Sequence, residues 1–148
     1  MQINPHEYFM KEALKEAKKA FDSGEIPVGS IIVSENKIIA RAHNLTEKLT
    51  DVTAHAEMQA ITAAANYIGG KYLKECTIYV TLEPCIMCAG AIFWSQSPLL
   101  VFGASDEKRG YSFLEKNILH PKTSVIKGIL ANECSDLLKV FFQNKRGQ

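Results

Sequence analysis

Thr77-Ile-Tyr-Val-Thr-Leu-Glu-Pro-Cys-Ile-Met-Cys88 contains the transition that decides the fold. Thr77–Thr81 is rich in β-branched and aromatic residues and predicts a strand. The segment from Pro84 to about Trp94 predicts a helix with proline in its first turn, where the missing N–H costs nothing. A strand that runs directly into a helix is the unit of an α/β sheet. Cys85 and Cys88 stand at i and i+3, so on such a helix their sulfurs share one face. Both fall where unpaired N–H groups and the helix dipole favour thiolate over thiol.

Upstream, Thr53 reads as the N-cap of an alanine-rich helix from about Ala54 to Tyr67, closed by Gly69-Gly70. Its first turn carries His55-Ala-Glu57. Before it, Ile26–Val33 reads as a buried strand with Pro27 at its start. Glu35-Asn36-Lys37 reads as a tight turn and Lys37–His43 as the returning hairpin strand. Asn44–Val52 is polar and irregular. Residues 6–22 form an amphipathic helix pattern, with Tyr8, Phe9, Ala13, Leu14, Ala17 and Phe21 on one face and Glu/Lys pairs on the other, ended by Ser23-Gly24.

Downstream, Leu99–Gly103 reads as a strand and Asp106–Tyr111 as a charged loop. A short helix over Ser112–Leu119, a strand at Val125-Ile126 and a last helix from Asn132 to about Phe142 complete the pattern. The order α-β-β-α-β-α-β-α-β-α predicts an α/β fold: a central five-stranded mixed sheet, parallel over its later half, with helices on both faces in three α/β/α layers.

The bulk properties set limits on function. The 148 residues suit one domain spanning 1–148. With 47% hydrophobic and 22% charged residues, the balance is that of a globular protein. A net charge of +1 gives no global attraction to nucleic acid, so any RNA binding has to come from local patches. No apolar run approaches the roughly 18 residues of a membrane span. Met1–Glu7 lacks the basic start and apolar core of a secretory leader. Four cysteines, two of them as C-x-x-C, fit a metal or redox site in a reducing compartment better than a disulfide framework, which predicts a cytoplasmic location.

His55, Cys85 and Cys88 form a Cys₂His donor set for zinc, with a fourth position left for water. Two thiolates cancel the charge of the ion, so such a water is acidified less than one held by three neutral histidines. A nearby carboxylate is then needed to take its proton, and Glu57 has that place. A redox pair or a structural zinc is the competing reading of C-x-x-C. His6, His43 and His120 lack ligand spacing, and Cys76 and Cys134 read as small buried side chains.

These motifs resemble the zinc-dependent cytidine/adenosine deaminases, and within them the bacterial tRNA-specific adenosine deaminases. The resemblance is carried by Ile26-Pro-Val-Gly29, Asn44, Asp51–Glu57, Tyr79–Cys85, Cys88–Ala91 and Val101–Asp106. It implies a cytidine-deaminase-like fold, one Zn²⁺ per subunit and hydrolytic conversion of a wobble adenosine to inosine in an arginine tRNA with an ACG anticodon. The adenosine is flipped out of the anticodon loop and attacked at C6, with Glu57 moving the proton. The resemblance assigns Asn44 to the base, Ile26, Val28 and Ala56 to the pocket, and Leu82-Glu83-Pro84 to its rim. Asp106 and Lys108 are expected to meet RNA near the flipped base, and Phe142, Lys145 and Arg146 to contact the anticodon stem-loop. It also implies a homodimer. The alternative is a deaminase of a free base or nucleoside such as guanine or cytosine. Trp94, Tyr111-Ser-Phe113 and Gln143 depart from the bacterial pattern.

Overall fold

The computed structural model describes residues 4–147; Met1–Ile3, part of the leader reading above, lie outside it. Helix α1 (Pro5–Asp22) starts at Asn4, whose side chain accepts the His6 N–H. Strands β1 (Gly29–Ser34) and β2 (Lys37–His43) form an antiparallel hairpin. Its two-residue turn puts Glu35 and Asn36 at φ 53° and 63°, the left-handed pair that matches strand twist. Then come α2 (Ala56–Ile68), β3 (Cys76–Leu82), α3 (Ile86–Ser95), β4 (Leu99–Ala104), a 3₁₀ turn at Tyr111–Phe113, β5 (Ser124–Lys127) and α4 (Ala131–Arg146).

The sheet order is β2-β1-β3-β4-β5. β1 pairs antiparallel with both β2 and β3, whereas β3–β4 and β4–β5 are parallel. Side-chain alternation builds two cores from one sheet. Ile32, Ile78, Val80, Leu100 and Phe102 face Ala60, Ala64, Ala89 and Ile92 of α2 and α3. Ile31, Val33, Tyr79 and Val101 face Phe9, Met10 and Ala13 of α1 and Cys134 of α4. The three-layer mixed sheet is thus as the sequence predicts, and no helix among the described residues is long and apolar enough to cross a membrane.

Local boundaries differ in instructive places. Pro27 precedes β1 rather than opening it, because Val28 N–H closes back on the Ile26 carbonyl at 2.8 Å. Thr53 does not cap α2: its hydroxyl donates to Asp51, and His55 takes the cap position. Helix α3 begins at Ile86 with Cys85 as its cap, so Pro84 lies just outside it. Beyond the 3₁₀ turn, the helix expected over Ser112–Leu119 is absent; Ser112 N–H and hydroxyl are committed to Glu83, and most of the segment is exposed. Helix α4 runs to Arg146, past the expected end near Phe142. Gly29 is where α1 meets the sheet: a Cβ there would lie 2.1 Å from the Ala13 carbonyl oxygen.

Candidate metal centre and active site

The donors meet because two helices start at the same place. His55 caps α2 (φ −71°, ψ 157°) and Cys85 caps α3 (φ −73°, ψ 176°), and neither side chain bonds its own helix. Each cap residue therefore has its side chain free to face the other cap. His55 Nδ1 stands 3.7 Å from Cys85 Sγ and 3.6 Å from Cys88 Sγ. Donor atoms about 2.3 and about 2.0 Å from a tetrahedral zinc stand about 3.6 Å apart. All three lie within 4.8 Å of one another, so the set fits the ion in both chemistry and spacing.

The electrostatics lead to the same conclusion. The hydrogen bond from the Cys88 thiol draws the Cys85 pKa down to about 4, against burial and with help from His55. Cys88 is pushed far up as the proton holder of the pair, with burial and the nearby Glu57 charge adding to the effect. Between themselves the sulfurs keep one proton, and a divalent cation is what allows both to be thiolates. The His55 pKa is raised by its bond to Cys85, against burial. Burial pushes the Glu57 carboxyl up to about 7, and the Cys85 charge adds to the rise. A carboxyl poised there can both accept and return a proton near neutral pH.

His55, Ala56, Glu57 and Cys85 line the floor of a cleft of about 1010 Å³. The cleft opens beyond the C-terminal ends of the parallel strands β3 and β4, the usual ligand position in an α/β sheet. One wall holds Ile26, Val28, Asn44 and Thr46. The Asn44 amide donates to the Ile26 carbonyl at 3.4 Å and accepts the Thr46 N–H at 3.3 Å. The opposite wall is the arm after β4, with Asp106, Lys108 and Arg109, and α4 closes the side with Leu138, Lys139, Phe142 and Arg146. Lys145 lines an adjoining depression of about 510 Å³ that shares Ile26, Thr46 and Phe142. Pro84 stands apart from these walls, buried, with its carbonyl accepting the Tyr111 N–H.

Sequence reasoning missed Arg109, Leu138 and Lys139. The last two were within reach, since Leu138, Lys139, Phe142 and Arg146 recur at helical spacing along one face. Nor did it show what two buried glutamates, Glu25 and the rim residue Glu83, bind. Glu25 accepts the Glu47 and Lys48 N–H groups, and Glu83 accepts from Asp106 and Ser112. No periodicity marks either, because their partners are backbone groups brought near only by the fold.

Residues 3–104 match the model of the cytidine and deoxycytidylate deaminase zinc-binding region. The chain belongs to this deaminase family. Among relatives within it, the tRNA-specific adenosine deaminase of Aquifex aeolicus (strain VF5) is 47% identical over 145 residues, covering 95% of each chain. That of Bacillus subtilis (strain 168) is 46% identical over 145 residues, covering 95% of this chain and 90% of the relative. A solved structure from studies of A-to-I editing by tRNA:A34 deaminases at the wobble position superposes with a TM-score of 0.83 at 38% identity, covering 88% of this chain and 99% of that one. The family match carries zinc binding to the His55/Cys85/Cys88 cluster.

Proposed function

We propose that this chain hydrolytically deaminates the wobble adenosine of a tRNA to inosine, with an arginine tRNA of ACG anticodon as its substrate. The observation that carries the reading is a buried carboxylate beside a three-donor zinc set, in a chain up to 47% identical to tRNA-specific adenosine deaminases.

Zinc held by His55, Cys85 and Cys88 supplies a Lewis acid that acidifies water. Glu57, on the first turn of α2, takes the proton of the water that adds to C6 of the adenine. It delivers protons to the ring nitrogen and to the departing amine, so that water enters and ammonia leaves. Its burial keeps competing bulk water from the carboxylate. Asn44 orients the base edge, and Ile26, Val28 and Ala56 supply apolar walls. Pro84 supports the rim through its carbonyl bond to Tyr111. Asp106 and Lys108 meet the RNA beside the flipped base, while Phe142, Lys145 and Arg146 contact the anticodon stem-loop. The unpaired bases of a loop suit this arrangement because flipping costs least there.

The enzyme works as a homodimer in the cytoplasm on this reading. Exposed Ile86 and Trp94 of α3, with open space around Gly90 between them, support a second copy packing there. The substrate test is incubation with an ACG-anticodon arginine tRNA followed by cDNA sequencing. A guanosine readout at the wobble position is expected, and its absence overturns the tRNA reading. Ammonia release from free guanine, cytosine or adenosine at comparable rates points instead to a free-base enzyme.

A further inference from the structure

Glu83 is a 4%-exposed carboxylate within the strand-to-helix stretch, and the mechanism above does not use it. Each of its oxygens accepts from a different end of one arm. Oε1 takes the Asp106 N–H at 3.1 Å, and Oε2 takes the Ser112 N–H at 3.0 Å and the Ser112 hydroxyl at 2.6 Å. The backbone around it fixes the same arm. Glu83 N–H donates to the Ala104 carbonyl at 2.8 Å, and Tyr111 N–H to the Pro84 carbonyl at 2.9 Å. Gly110 pairs with Cys85 in an isolated antiparallel bridge and lies so close that a Cβ would stand 2.3 Å from the Glu83 carboxylate carbon.

Between these two anchors the arm carries its charges outward. Asp106 Oδ1 accepts the Lys108 and Arg109 N–H groups at 3.1 and 3.0 Å, which turns the chain so that both exposed bases border the cleft. A charge-assisted acceptor with three donors is a strong local restraint. Tyr111 packs against Phe102 at one end of the arm, but Glu107, Lys108 and Arg109 are exposed and have no apolar contact of that kind to hold them.

We infer that Glu83 is a positioning residue: through the backbone of Asp106 and Ser112 it fixes the arm at the height where Lys108 and Arg109 meet the phosphates of the RNA. The inference rests on RNA being the substrate. It places Glu83 in binding of the polymer and outside the proton chemistry, although it is only two residues from a zinc ligand. Glu83→Gln is the discriminating change. Its size is the same, but its NH₂ group must face either the Asp106 or the Ser112 N–H, donor against donor.

The experiment is a double-mutant cycle of Glu83→Gln and Lys108→Ala, with KM and kcat measured on an anticodon stem-loop RNA and zinc counted by elemental analysis. Glu83→Gln is expected to raise KM about tenfold, to leave kcat within about threefold and to retain the metal content of the unaltered chain. Lys108→Ala is expected to raise KM in the unaltered chain and to add little once Glu83 is changed, because both losses act through the same arm. An unchanged KM, a loss confined to kcat, loss of zinc or full additivity with Lys108→Ala overturns the inference. Should Glu83→Gln not fold, the cycle is run with Ser112→Ala, which removes only the hydroxyl bond; non-additivity with Lys108→Ala supports the inference and additivity overturns it. Absence of inosine from the unaltered chain overturns the RNA reading and this inference with it, whereas inosine formation with an unchanged KM in Glu83→Gln overturns this inference alone.

Discussion

His55 Nδ1 and Cys88 Sγ stand 3.6 Å apart although 33 positions separate them in sequence. One donor comes from the cap of α2 and the other from the first turn of α3, so the metal is expected to tie two helices as well as to serve chemistry. Cys88→Ala should lose stoichiometric zinc and unfold at a lower temperature. Chelation of the unaltered chain should lower its Tm in the same direction. Elemental analysis and thermal denaturation check both, and a chelator-treated chain with unchanged Tm sinks the structural part of the claim.

Glu57 is buried and its acid form is favoured by that burial, yet it ligates nothing in the donor set. Glu57→Gln preserves volume and removes the ionisable carboxyl. Zinc content should stay at that of the unaltered chain while kcat for inosine formation falls by about a hundredfold or more. Turnover within a few-fold of normal would remove Glu57 from the proton path.

The Glu16 carboxylate is buried between α1 and β2 and is bonded by Lys19 at 2.9 Å and Arg41 at 3.1 Å. Burial alone would raise its pKa, but these bonds outweigh it and hold the group below the ordinary glutamate value. A carboxyl depressed on folding contributes stability above its unfolded pKa and loses that contribution as pH falls through the folded one. Tm should therefore decline on the acid side, below the ordinary glutamate range. Arg41→Gln should flatten that decline and cost about 1–2 kcal/mol at neutral pH, roughly 3–6 °C in Tm for a chain of this size. Thermal scans from neutral to acid pH decide it; parallel curves for the two proteins count against it.

Gly29→Ala places a methyl 2.1 Å from the Ala13 oxygen and 2.5 Å from the Ala17 nitrogen. Both are helix backbone and cannot rotate away, so α1 must lift from the sheet. The expected loss is about 3 kcal/mol, or roughly 6–12 °C. Differential scanning calorimetry measures it, and a loss below about 1 °C contradicts the close contact.

Trp94 is 73% exposed, and Ile86 one face along α3 is 55% exposed. If a second copy covers them, the double change Ile86→Glu, Trp94→Glu should yield a monomer by light scattering at micromolar concentration while the unaltered chain runs as a dimer. Equal masses for the two proteins remove this face from the proposed interface.

The strands and helices were legible because their residues repeat with the period of the element, as Ile31–Val33 and Ile78–Val80 do on both faces of the sheet. The donor set was legible because its spacing is local: Cys85 and Cys88 differ by one turn, and His55 and Glu57 open another helix. The N-cap of α2 was misassigned because Thr53 has a better partner in Asp51 at 2.7 Å than in the helix start, whereas the ends at Ser23 and Gly69 fall as expected. The arm after β4 was legible as a charged loop but not in its path, since that depends on a carboxylate more than twenty residues earlier. Arg109 and Lys139 were visible as charges, but only the fold turns them toward the same opening.

The caps of α2 and α3 have a consequence for how such a protein can diversify. The three metal donors and Glu57 all lie between residues 55 and 88, seated on the core shared by β1, β3 and those two helices. The family match itself stops at residue 104, whereas the arm and α4, which close the opening, come after it. The metal donors and the outer closure of the cleft therefore occupy successive lengths of the polypeptide, while the wall of Ile26, Val28 and Asn44 precedes both. Changes in the last third of the chain can thus reshape the outer opening while the metal donors and the wall beside them stay as they are.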